Sequence, residues 1–181
     1  MTDLPHHLIR LADLPNRRET TFDLQPSTTE RAAVAAQLGI EGIRKLRFAG
    51  SLAPLGKRDW RLTADLGATV VQACVVTLDP VTTRLDETVT RSYLAEMPDD
   101  LTGEIEMPED DTQDALPETL DLAAVMIEAL ALALPLYPRK EGAALGEAVF
   151  AQGGVVPMRD EDAKPFAGLA GLRENLEMKD E

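Results

Sequence analysis

The sequence predicts an α+β domain: a small antiparallel sheet, open or barrel-like, with two helices packed on it. Three observations carry that prediction. The segment from Leu120 to Leu134 is almost wholly Ala, Leu, Val, Met and Ile, interrupted only by Asp121 and Glu128. Several stretches between Ile43 and Tyr93 alternate apolar and polar residues with a period of two. An Ala-rich run, Arg31–Leu38, lies between helix start and stop signals. At 181 residues the chain has the length of one ordinary domain, and an apolar fraction of 44% is enough for a core. With only 4% aromatic residues, that core must rest on Leu, Val and Ala.

Residues 1–26 read as an extended N-terminal segment broken by prolines. The part from 27 to 94 follows as a helix plus antiparallel strands. Ser27 or Thr28 caps the helix, Glu30 sits in its first turn near the positive end of the dipole, and Gly39 stops it. In Ile43–Leu52, Leu46, Phe48 and Leu52 share one face while Lys45 and Arg47 share the other. In Asp59–Leu66, Trp60, Leu62, Ala64 and Leu66 alternate with polar residues. Ala68–Leu78 is apolar on both faces, as a central strand should be. After a turn at Asp79-Pro80, Val81–Tyr93 makes a meander of about four strands. Residues 95–118 are acidic with three prolines and read as a solvated loop, with room for a short strand at Glu104–Met107. Residues 119–181 return to the domain with the Leu120–Leu134 helix, capped by Thr119 or Asp121 and stopped by Pro135 and Pro138. A loose stretch, 141–164, precedes a C-terminal stripe of Phe166, Leu169 and Leu172 behind Pro165.

The net charge of −14 argues against generic nucleic-acid binding, but it is unevenly spread. Residues 1–60 hold nine Lys/Arg against seven Asp/Glu, whereas residues 96–128 hold twelve Asp/Glu and no Lys/Arg. A basic surface elsewhere on the fold is therefore compatible with the composition. The apolar helix would be about 22 Å long, short of a bilayer core of about 30 Å, and it carries Glu128 near its middle. It reads as soluble core, and no membrane is expected. The single cysteine, Cys74, excludes an internal disulfide. Together with an N-terminus unlike a secretory signal, it points to the cytoplasm.

Few residues offer chemistry. Cys74 lies in the apolar run VVQACVVTL and reads as a small buried hydrophobe, with metal ligation or a reactive thiol as the alternative. His6 and His7 read as exposed tail residues. Together with one cysteine they supply no tetrahedral zinc set. The acids around Glu109 lack the spacing of a calcium loop. If the strands over 43–52 and 59–66 pair, Lys45, Arg47 and Arg61 share a solvent face where they would track phosphates. The bland alternative is an ordinary solvated sheet face. Glu128 is either a water-exposed helix edge or a partly buried acid paired with an arginine, since burying it unpaired would cost several kcal/mol. No phosphate-binding glycine loop, nucleophile elbow or paired carboxylates occur, so neither an enzyme nor a cofactor is expected.

Three segments in order, VVQACVVTLDPV, LDLAAVMIEALALALPLYP and KPFAGLAGL, together resemble the bacterial YceD family of large ribosomal RNA subunit accumulation proteins. Members carry Cys-x-x-Cys, an Asp-Leu helix with a Glu ending in Leu-Pro-x-x-Pro, and a Pro-Phe-x-x-Leu tail. The matching positions are Cys74, Asp121, Glu128, Pro135, Pro138, Pro165 and Phe166. The second cysteine is replaced by Thr77, and Arg139-Lys140 stand where many members have a His and a later Cys. Any zinc held by those ligands would be lost here. The resemblance implies a non-enzymatic factor for accumulation, processing or assembly of 23S rRNA and the large subunit. Its partner would be that rRNA or a basic large-subunit ribosomal protein. The alternative is a protein-interaction scaffold with no RNA contact.

Overall fold

The computed structural model describes residues 4–56, 58–96 and 112–144. Residues 1–143 group as one compact unit and 144–181 as a second, and every element below belongs to the first. The α+β class holds: two helices accompany a five-stranded and a two-stranded sheet.

Local signals set α1, Thr28–Leu38. The Ser27 hydroxyl accepts from the Glu30 N–H at 3.3 Å, and the Glu30 carboxylate accepts from the Ser27 N–H at 2.7 Å. That reciprocal box satisfies two donors which the first helical turn would otherwise leave unpaired. Gly39 ends the helix at φ 66, a left-handed conformation that costs glycine little.

Three long strands form the sheet: β3 (Gly42–Leu55), β4 (Asp59–Ala73) and β5 (Pro80–Leu94), antiparallel in order. Flanking β3 is β2 (Thr20–Leu24), antiparallel, and beside the end of β5 lies β6 (Gln113–Ala115), parallel. The order β2-β3-β4-β5-β6 leaves the sheet open, so the barrel-like variant does not hold. Its outer strands have only five and three residues, too short to carry the staggered register that closure needs.

The stretches Asp59–Leu66 and Ala68–Leu78 are one strand rather than two. Gly67 does not break it, because Arg47 and Asp86 continue the ladder on both sides. Trp60, Leu62, Ala64, Leu66, Ala68 and Val70 stay buried in unbroken alternation across it. The strand ends at Ala73, so Cys74 sits in the following turn rather than inside a strand. There the Cys74 N–H donates to Asp79 O and the Leu78 N–H to Cys74 O, with Leu78 at φ 62.

The N-terminal residues pair non-locally. β1 (Leu8–Arg10) runs antiparallel to β7 (Thr119–Asp121), and the β2 strand also comes from this segment. A 3-10 turn, Leu11–Asp13, buries Leu11 between them. The second helix, α2, spans Leu122–Ala133, so Leu120 and Asp121 belong to β7 and Asp121 is the cap. No helix among the described residues is long and apolar enough to cross a membrane. The expected strand at Glu104–Met107 lies outside the described residues.

The core is one cluster between the inner sheet face and the helices. Phe48, Leu52, Leu62 and Leu66 from the sheet meet Leu122, Met126 and Leu130 from α2, all fully buried. Burying each such side chain contributes about 1.5–3 kcal/mol. At Gly50 a Cβ would lie 2.2 Å from the Thr63 carbonyl oxygen, so only glycine lets β3 approach β4 there. Phe22, opposite Gly50 in the register, lays its ring 5.5 Å from that of Phe48.

Candidate functional site

The open face of the sheet carries the charges. Lys45 stands beside Thr69, which stands beside Arg84; Arg47 stands beside Gly67 and Asp86; Ala49 lies between Asp23 and Asp65. Arg44 is the extra residue of a bulge between Ile43 and Lys45, and it too is exposed. Of these, Arg44, Lys45, Arg47, Ala49, Gly67 and Arg84 line a groove of about 880 Å³, with Arg31, Asp65, Asp86 and Glu87 also on its walls.

The five cations at this groove are held differently. Arg31 donates to the Pro26 carbonyl at 2.6 Å and the Ile43 carbonyl at 3.3 Å, joining the start of α1 to β3. Arg47 grips Asp23 with two hydrogen bonds of 2.9 Å, holding that carboxyl below its usual range. Arg84 likewise takes both oxygens of Asp86 and depresses it, lying so close over Gly67 that a Cβ there would be 2.7 Å from Arg84 Nη2. Arg44 and Lys45 have no ion pair among the described residues, so their charge stays open to an outside anion.

Arg61 shares the open face, as its alternation requires, but pairs with Ala53. That is eight residues along β3 from Lys45, about 26 Å at the rise of a strand. Lys45 and Arg47 therefore come together and Arg61 does not join them. Arg44 is legible as part of the basic run Arg44-Lys45-Arg47, but a bulge has no periodic signal to place it on this face, and Arg84 joins the groove only through the β4–β5 register.

A second assembly surrounds Cys74. The chain leaving α2 docks on the β4–β5 turn: the Gln72 amide donates to Pro135 O at 3.1 Å and the Val75 N–H to Pro138 O at 2.9 Å. The Cys74 sulfur, fully buried, accepts from the Val76 and Lys140 N–H groups at 3.4 Å each. The Thr77 hydroxyl contributes most, then the Lys140 N–H, and together they lower the thiol pKa to about 6. Lys140 Nζ also pairs with Asp79 at 3.1 Å. One thiol, a hydroxyl and a lysine do not fit a zinc ion, which needs four N, S or O ligands. No group of three or more His, Cys, Asp or Glu among the described residues is placed to hold a metal.

The two acids of the helix segment, Asp121 and Glu128, have partners. Asp121 accepts from the His7 N–H at 2.8 Å and from the Ala123 N–H at 3.0 Å, while His6 Nδ1 lies 2.7 Å from its other oxygen. The His6–His7 segment is thus tied down rather than frayed. Glu128 meets Arg91 of β5 at 2.6 Å, and Asp114 approaches the same guanidinium at 3.5 Å. Both readings of Glu128 are partly right: its side chain is 53% exposed at the helix edge, yet paired with an arginine that is only 21% exposed. Beneath them, burial pushes the Tyr93 hydroxyl up to about 12.

The family model described as "Large ribosomal RNA subunit accumulation protein YceD" matches residues 62–173, more than half of the chain. The chain belongs to the YceD family. Neither the search of curated proteins nor that of solved structures returned a match. The YceD match takes in most of β4, all of β5 and α2, and therefore Cys74, Asp121, Glu128, Pro135 and Pro138. The β3 residues Arg44, Lys45 and Arg47 fall before it. Pro165 and Phe166 are inside the YceD match but outside the described residues. The family description ties this chain to ribosome biogenesis and to the large-subunit rRNA.

Proposed function

We propose that this YceD-family chain is a non-enzymatic cytoplasmic factor for accumulation or assembly of the large ribosomal subunit, and that it holds RNA phosphates on the open sheet face. The observation that supports this reading is the groove at Arg44, Lys45, Arg47 and Arg84. Two of these cations have no ion pair among the described residues, and two have guanidinium forks already held by carboxylates. A planar fork that accepts a carboxylate matches a phosphate equally well. The carboxylates limit affinity and confine phosphate contact to one end of the sheet, consistent with an acidic chain that does not bind nucleic acid at large.

The test is binding of large-subunit rRNA fragments by the full chain across a salt series. Each phosphate neutralised steepens the dependence of log affinity on log salt by about 0.7–0.9. The Arg44→Glu/Lys45→Glu pair should abolish binding at moderate salt, whereas Arg61→Glu, about 26 Å away, should change it little. Absence of binding even at low salt removes the RNA route and leaves a protein-binding scaffold, with the acidic linker 95–118 meeting a basic ribosomal protein.

A further inference from the structure

The β5 strand has fifteen residues, yet β6 pairs with it only at Ser92–Leu94. Among the described residues no strand pairs with Pro80–Arg91 on that side. The phase of the edge follows from the contacts at its end. The Ser92 N–H donates to Thr112 O at 2.8 Å, and Leu94 O accepts from the Leu116 N–H at 2.8 Å. Backbone groups alternate sides along a strand, and the β4–β5 register runs without a bulge. Thr82, Arg84, Asp86, Thr88 and Thr90 therefore direct their N–H and C=O groups away from β4, toward the open edge.

Proteins usually blunt such an edge with proline, a bulge or uncompensated charge. Between Thr82 and Thr90 there is no proline and no bulge, and Arg84 is neutralised by Asp86. The one charge there without an ion pair among the described residues is the acid Glu87, which opposes an acidic strand but not a basic one. Beside the edge lies a groove of about 540 Å³ between β5 and α2. Its apolar wall is Val89, Ala129, Ala133 and Leu132, the last 79% exposed. Its charges are Glu87, Asp114 and Glu128 against Arg91 alone. Two of those acids already share Arg91, so the groove keeps a net negative charge.

We propose that the edge of β5 left open among the described residues takes an extended, basic polypeptide segment of another protein as an added strand. Main-chain hydrogen bonds to Thr82–Thr90 would supply the pairing. Alternate side chains of the segment would enter the β5–α2 groove, apolar ones against Leu132 and Val89 and cationic ones toward Glu128 and Asp114. Arg84, Asp86, Glu87 and Thr88 also border the phosphate groove, but the added strand would use main-chain groups, so this inference does not rest on RNA binding.

The experiment uses the full chain and two blocked peptides, one alternating Lys with Val and the other Glu with Val, each long enough to pair with Thr82–Thr90. Calorimetry should show binding of the Lys peptide and none of the Glu peptide. Hydrogen exchange should show new protection at the amides of Thr82, Arg84, Asp86, Thr88 and Thr90. Thr90→Pro removes an edge donor and should abolish binding. Leu132→Lys, on an exposed helix position that leaves the fold intact, should weaken it about tenfold through like charge. Arg44→Glu/Lys45→Glu should leave it unchanged. Equal binding of both peptides, binding without edge protection, or indifference to both groove variants would overturn the proposal. So would edge protection that rises with protein concentration alone alongside a dimer in sedimentation, since the occupant would then be a second copy.

Discussion

At the start of α2 one carboxylate joins three pieces of chain, while past its end the prolines Pro135 and Pro138 dock through their carbonyls and no acid of the helix takes part. Asp121 caps the helix, holds the His7 N–H and meets the His6 ring. The Leu122 N–H returns a bond to His7 O at 3.0 Å. At the other end Gln72 and Val75 donate to the two proline carbonyls, and Lys140 donates to the Cys74 sulfur. The contrast follows from the helix itself. Its first turn exposes unpaired N–H donors at the positive end of the dipole, so a carboxylate suits it. The segment past its last turn is rich in proline, which has a carbonyl but no N–H, so the β4–β5 turn must supply donors.

The largest expected effect breaks the N-terminal joint. Asp121→Ala should cost about 1–2 kcal/mol in urea unfolding, and amide exchange at Leu8–Arg10 should quicken as β1 loosens from β7. Persistent protection there would show that strand pairing alone holds the segment. Burial raises the Asp121 carboxyl, but His6 and the backbone donors outweigh it and leave it below its ordinary value. Its contribution is therefore present above the ordinary carboxylate pKa and lost as pH falls through the depressed one.

A smaller effect belongs to the middle of the helix. Glu128→Ala should cost less than about 1 kcal/mol, shrinking further in high salt, because half of that side chain is in water. A loss that salt leaves untouched would mean that packing, not charge, is what Glu128 supplies. A pH-dependent effect concerns the C-terminal dock. Cys74 titrates near 6, below its ordinary value of 9.0, so its stabilisation is complete above the ordinary value and disappears as pH falls through 6. Cys74→Ser should flatten stability across that window, and Thr77→Val should move the thiolate absorbance midpoint upward. An unmoved midpoint in Thr77→Val would assign the shift to the Lys140 N–H instead.

Much of this was legible locally. The capping box at Ser27 and Glu30 needs only neighbours three residues apart, and the Gly39 stop needs one glycine. The alternation from Trp60 to Val70 names the buried face of β4 without any partner, and its continuity through Gly67 was in the sequence to be seen. The face shared by Lys45, Arg47 and Arg61 follows from a period of two. Their separation does not, because it depends on which residues of β3 and β4 stand opposite. Cys74 was misplaced because an apolar turn sealed by a distant segment has the composition of a strand.

The sequence by itself determined the helices, the faces of the long strands, the uneven charge and the YceD pattern, because each depends on residue type at short, fixed spacing. Only the tertiary structure decided where those faces meet. It brought Lys140 to Cys74, His6 to Asp121, Arg91 to Glu128, and Arg84 to the row of Lys45. It also determined how the Leu120–Leu134 run divides into strand and helix. Residues 8–10 pair with 119–121, more than a hundred positions away, and a bond across that span leaves no periodic trace in either partner.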